Sequence, residues 1–126
     1  GNIPDWLPKF EVLERIQLEN NRFTGPLHSS IGNCSHLHTI DLQNNMITST
    51  LPASLGNPSN VLKELNFYSM NLTGTIPPEL GQSQTIKIFN AFNNNLTGKY
   101  VRTYISMHLH LHLDLHYNLY IVLSPF

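Results

Sequence analysis

The sequence predicts an α/β-type repeat solenoid, with short parallel strands on its concave face and little regular helix. Three observations predict it. Apolar residues recur in the pattern Leu-x-x-Leu-x-Leu-x-x-Asn-x-Leu, the pattern returns every 24 or 25 residues, and Gly and Pro punctuate the second half of each unit. A fixed period in this range marks stacked coils, each too small to bury its own apolar side.

The four copies align residue by residue. The first is Leu13, Ile16, Leu18, Asn21 and Phe23, and the second is Leu37, Ile40, Leu42, Asn45 and Ile47. The third runs Leu62, Leu65, Phe67, Met70 and Leu72, and the fourth Ile86, Phe89, Ala91, Asn94 and Leu96. In Leu-x-Leu the two apolar residues sit two apart, so both point to one side of a strand. The asparagines Asn21, Asn45 and Asn94 are expected to hydrogen-bond backbone groups where the chain leaves the strand. Behind them, Thr24-Gly25, Thr48-Ser49, Thr73-Gly74 and Thr97-Gly98 share one slot, and Ile3-Pro4, Leu51-Pro52 and Ile76-Pro77 share the next. Leu7, Ile31, Leu55 and Leu80 follow, and Gly32, Gly56 and Gly81 come directly after three of them. Gly1 to Pro8 therefore matches the back half of a repeat. Met70 in an asparagine slot, Ser49 for glycine, His28 for proline and Ala91 in a core slot predict a weakened array, with the fourth copy least secure.

The segment Asn71-Leu-Thr-Gly-Thr-Ile-Pro-Pro-Glu-Leu-Gly81, together with Ile31-Gly-Asn-Cys-Ser35, resembles the plant-specific class of leucine-rich repeat. That class is typical of receptor-like kinases and receptor-like proteins of plant plasma membranes, and of secreted polygalacturonase-inhibiting proteins. The resemblance covers residues 1 to about 100. It implies a leucine-rich-repeat right-handed superhelix and an extracellular recognition surface. It implies a location on the outer face of the plasma membrane, as part of a parent receptor, or secretion. The family's longer arrays carry cysteine-paired caps, which do not occur here. A membrane span and a kinase domain can follow in such parents.

Composition narrows the function classes. The 126 residues carry a net charge of −1 and only 12% charged residues. That argues against nucleic-acid binding, which normally needs a basic face. Cys34 is the single cysteine, so no intrachain disulfide can form. No apolar run approaches the ~20 residues of a membrane span, and no signal segment opens the chain. The chain as given therefore reads as a piece of something longer or a truncated product, linked to a membrane only through parts of a parent. No nucleophile–base set, phosphate loop or kinase catalytic loop is present, so no enzymatic activity and no cofactor are expected.

The candidate ligand-binding residues flank the core pair on each strand. They are Arg15, Gln17 and Glu19; Thr39, Asp41 and Gln43; Glu64, Asn66 and Tyr68; and Ile88, Asn90 and Phe92. Polar columns beside aromatics suit a peptide or protein ligand, including a co-receptor ectodomain, because aromatics anchor many interfaces. Asn33, Asn71 and Asn95 head N-glycosylation sequons, whereas Asn57-Pro58-Ser59 is excluded by its proline. Cys34 and Phe10 occupy one inward slot in successive repeats.

After Tyr100 the repeat stops, giving an array over residues 1–100 and a non-repeat tail over 101–126. From Met107 to Leu123 every odd position is apolar or aromatic, which is strand periodicity. Seventeen residues is about three times an ordinary strand. The tail is expected to be disordered or an irregular strand, either read-through sequence or a cover for the open end of the solenoid. His108, His110, His112 and His116 lie in it, but one carboxylate nearby, Asp114, makes a poor metal site, and none is expected. Three functions are consistent with these features. They are a non-catalytic recognition module of a plant cell-surface receptor, a secreted inhibitor of cell-wall-degrading enzymes, and an inactive truncated product.

Overall fold

The computed structural model describes residues 1–97 in full and, beyond them, the strands at 109–114 and 117–123. Four three-residue strands, β1 (Arg15–Gln17), β2 (Thr39–Asp41), β3 (Glu64–Asn66) and β5 (Ile88–Asn90), stack in parallel in that order. Their register pairs Ile16, Ile40, Leu65 and Phe89 in one row, all buried. Each strand is short because only its central residue points inward and the two beside it face out. Two-residue strands β4 (Thr73–Gly74) and β6 (Asn95–Leu96) pair on a second flank, and the bridge Thr50–Thr73 extends the same rail. The third side of each coil is a short turn of helix. Three are 3-10 helices (Leu7–Lys9, Ser29–Asn33, Ala53–Gly56), and one is the α-helical turn α1 (Pro78–Gly81).

The core is one stack of aliphatic rows, with Leu37, Ile40, Leu42, Ile47, Leu55, Leu65, Phe67 and Leu72 fully enclosed. Each such burial stabilises by roughly 1.5–3 kcal/mol. Ala91 fills its slot without exposure because Phe67 occupies the same row one coil earlier, edge-on to Phe89 at 6.4 Å. A large residue beside a small one keeps that layer filled.

The asparagine slot ties coil to coil. Asn45 Nδ2 donates to the Leu18 and Leu42 carbonyls, both at 2.9 Å, and its Oδ1 accepts the Phe23 amide at 3.0 Å. Asn94 repeats the set with the Phe67 and Ala91 carbonyls and the Leu72 amide. Asn21, in the first coil, is exposed and donates to Leu18 and Glu19 of its own coil. Met70 is buried in this slot and offers no such acceptor. The Ile47 amide, equivalent to those of Phe23 and Leu72, meets no acceptor among the described residues. The preceding position turns left-handed in every coil: Asn20, Asn44, Ser69 and Asn93 have φ of 51 to 57°. Asparagine tolerates this conformation and serine does so less well.

Two departures behave differently from expectation. Ser49 replaces glycine yet strengthens its turn, since its hydroxyl accepts the Leu27 amide and donates to the Thr50 carbonyl. Phe10 does not share the buried environment of Cys34: Cys34 is 3% exposed, whereas Phe10 is 54% exposed and stacks edge-on against Trp6. Phe10 belongs to the first coil, and among the described residues only the second coil packs beside it. In the third coil the slot is taken by Asn60, which donates to the Ser54 and Leu55 carbonyls and accepts the Leu62 amide. The extra residue of the 25-residue unit makes room for this buried asparagine.

Glycine follows the back-half apolar residue because the coils touch there. A Cβ on Gly32 would collide with the backbone carbonyl of Ser54, and one on Gly56 with that of Glu79. Gly56→Ala is predicted to destabilise the chain by about 2–3 kcal/mol through overpacking, read as a lower urea midpoint. Met70→Asn should act in the opposite direction. It supplies the Ile47 amide with an acceptor, and relief of an unpaired buried group is worth about 1–3 kcal/mol. Even after the lost methionine packing, the melting temperature should rise by a few degrees, and a fall would refute this account of the slot.

Candidate functional site

Eight of the twelve sequence-predicted ligand-binding residues lie on the strands, where the register groups them in columns, and the other four lie on the turns that follow. Arg15, Thr39, Glu64 and Ile88 form one column, and Gln17, Asp41, Asn66 and Asn90 the next. Glu19, Gln43, Tyr68 and Phe92 follow two residues beyond the second column. Arg15 and Gln17 are exposed, and the other ten are half-buried.

The middle columns are a connected polar surface. Asp41 accepts the Gln43 backbone amide and side-chain amide, both at 3.3 Å, and the Asn66 amide at 3.5 Å. Asn66 also donates to Glu64 at 2.8 Å. Asn90 repeats the first of these contacts by accepting the Phe92 amide. These bonds hold short side chains in defined positions, so the face presents fixed donors and acceptors. At one side Glu19 carries an enclosed carboxylate oxygen, Oε2, with no partner among the described residues. Partial burial raises the Asp41 carboxyl above its ordinary range. Neighbouring Glu19 and Glu64 add to the rise, while the Gln43 and Asn66 hydrogen bonds oppose it.

The sequon residues lie elsewhere. Asn33 ends the 3-10 helix at Ser29–Asn33, while Asn71 and Asn95 lie on the β4–β6 flank; all three are exposed. Thr73 and Thr97, their hydroxyl partners in the sequon, are exposed too. Cys34 is buried, which pushes its thiol up in pKa. His108 and His116 lie outside the described residues. His110 and His112 fall within β7 (Leu109–Asp114).

A carboxyl raised in the folded state penalises folding once it ionises. The penalty is absent below the ordinary aspartate value, appears as pH rises through the raised value, and persists above it. Asp41→Asn removes this penalty. The stability of the variant relative to the native chain should therefore be more favourable near pH 7 than near pH 3, as read by thermal melts at both. An equal difference at both would contradict the electrostatic reading of this face.

The profile of the family described as Leucine Rich Repeat matches residues 12–34, 36–58 and 61–83. No match is found among curated proteins. Among solved structures, the BIR2 ectodomain from Arabidopsis thaliana is similar at 28% identity and a TM-score of 0.72, over 78% of this chain and 51% of that one. The Arabidopsis receptor kinase HAESA, solved in complex with the peptide hormone IDA and the co-receptor SERK1, is 34% identical with a TM-score of 0.68, over 78% of this chain and 16% of that one. The PEPR1–AtPEP1 structure is 29% identical with a TM-score of 0.69, over 78% and 14%. The chain thus spans between 14% and 51% of the length of these three.

Proposed function

Because the chain belongs to the leucine-rich-repeat family, we propose that it is a non-catalytic recognition segment of a plant cell-surface receptor, binding a peptide or protein on its strand face. The observation that carries this reading is the pair of in-register polar columns bordered by Tyr68 and Phe92. Neighbouring strands lie about 4.8 Å apart. A ligand crossing the face therefore meets one polar row per coil and reaches aromatic surface at the third and fourth coils. Fixed amides and carboxylates select hydrogen-bonding partners, and the half-buried rings supply anchoring area. HAESA was solved with a peptide hormone and a co-receptor, which supports a ligand of the same class here. Signalling would belong to other parts of a parent protein.

The same reading places the chain on the extracellular side, with N-glycans on Asn33, Asn71 and Asn95. All three lie off the strand face, so sugars there leave it open. Peptide mapping of the protein secreted from plant cells should find sugar on at least one of the three. Uniformly bare sequons on secreted protein would contradict the assignment.

Binding is tested with a panel of secreted plant peptides and a co-receptor ectodomain against the full chain. Tyr68→Ala and Phe92→Ala should each weaken capture about tenfold, equivalent to about 1.4 kcal/mol. Asn33→Gln, on the opposite side of the coil, should leave it unchanged. Equal loss from all three variants, or capture that ignores the strand-face variants, would refute the strand face as the binding surface.

A further inference from the structure

The alternating stretch near the C-terminus is divided into two strands, β7 (Leu109–Asp114) and β8 (Tyr117–Leu123), which pair antiparallel with each other. β8 also pairs antiparallel with β5, on the side of β5 not taken by β3. In the repeat pattern that side is where the next parallel strand would add. The register is specific: Phe89 faces Ile121, which faces Leu111. In this register Ile121 and Leu111, both of the apolar odd-numbered series in the sequence, stand in line with the positions of Ile16, Ile40, Leu65 and Phe89. On either side of that row, Ile88 is followed by Val122 and His110, and Asn90 by Tyr120 and His112. A one-residue slip would set an even-numbered residue opposite Phe89 instead. Three residues of β8, Tyr120 to Val122, thus take the edge of β5 in this register.

We propose that the β7–β8 hairpin is the terminator of the repeat array: it occupies the β5 edge and keeps a second copy of the chain from pairing there. An open strand edge is a template for another chain, and solenoids need an end unit unlike their repeats. An antiparallel pair suits this need, because two antiparallel strands require only a short connection between them, whereas each further parallel strand requires a crossover. The regular array supplies parallel strands alone, so this change of direction stops its propagation.

Two variants of the full chain test the proposal. Ile88→Cys combined with Val122→Cys places thiols at a registered pair. Under mild oxidation it should give a 88–122 disulfide within one chain, found by mass spectrometry of the monomer, whereas Ile88→Cys with Asn118→Cys should give little. Absence of the 88–122 bond, or bonds joining two chains only, overturns the proposal. Ile121→Pro removes a backbone donor from the strand facing Phe89. The Ile88 amide is held by the Lys63 carbonyl on the β3 side, so amide exchange at Phe89 should then accelerate at least tenfold, exchange at residues 39–41 should stay unchanged, and size-exclusion chromatography should show new dimer. Unchanged exchange at Phe89 with the chain still monomeric would equally overturn it.

Discussion

Everything in this fold depends on how backbone groups are satisfied where a three-residue strand ends. Each coil leaves its strand after one inward residue, and its next amides and carbonyls face the interior. Asn45 and Asn94 answer this with one side chain reaching two carbonyls and an amide, spanning two coils. An interior of leucine and isoleucine could not do so. The aliphatic rows supply most of the stabilisation, but they are indifferent to rotation and slip. The asparagines and the left-handed residue before each of them set the coil-to-coil register. That register is what aligns the outward residues into columns. The candidate binding face is therefore a consequence of the buried amides rather than an independent feature.

The third coil shows what happens when this arrangement is interrupted. Ser69 and Met70 replace the Asn-Asn pair found at 44–45 and 93–94. The left-handed turn persists at Ser69, and Asn93 reaches across to its hydroxyl at 2.9 Å. The strand register across β2, β3 and β5 continues without a break. The apolar rows on both sides hold the coil in place, while the Ile47 amide goes without an acceptor among the described residues. Near this coil the polar face also changes character, from the acidic Glu19, Asp41 and Glu64 to the aromatic Tyr68 and Phe92.

Much of this was legible from residue spacing, and the reasons are physical. A 24-residue period with Leu-x-Leu spacing allows few geometries, so strand positions and outward columns follow directly. Effects that depend on a neighbour in space were less legible. Phe10 and Cys34 share a slot in the motif, but Phe10 lies in the first coil and is open to solvent. Asn60 is buried, and its only trace in the sequence is the one-residue lengthening around Asn57 to Asn60. Ser49 reads as a weakened turn until its hydroxyl is seen bonding on both sides. The alternation between Met107 and Leu123 is plain in the sequence, but its division into two strands and its pairing with β5 depend on an edge that only the stacked coils create.

The most direct measurement is the unfolding free energy of Asn45→Leu by urea denaturation. The substitution keeps the branching and heavy-atom count of the side chain but leaves the Phe23 amide and the Leu18 carbonyl without their inter-coil partner. The account predicts a loss of about 2–3 kcal/mol, the cost of several buried unpaired groups after partial relaxation. An Asn45→Leu chain as stable as the native one would contradict it. The coils would then be held by apolar stacking alone, and the alignment of the binding face would need another cause.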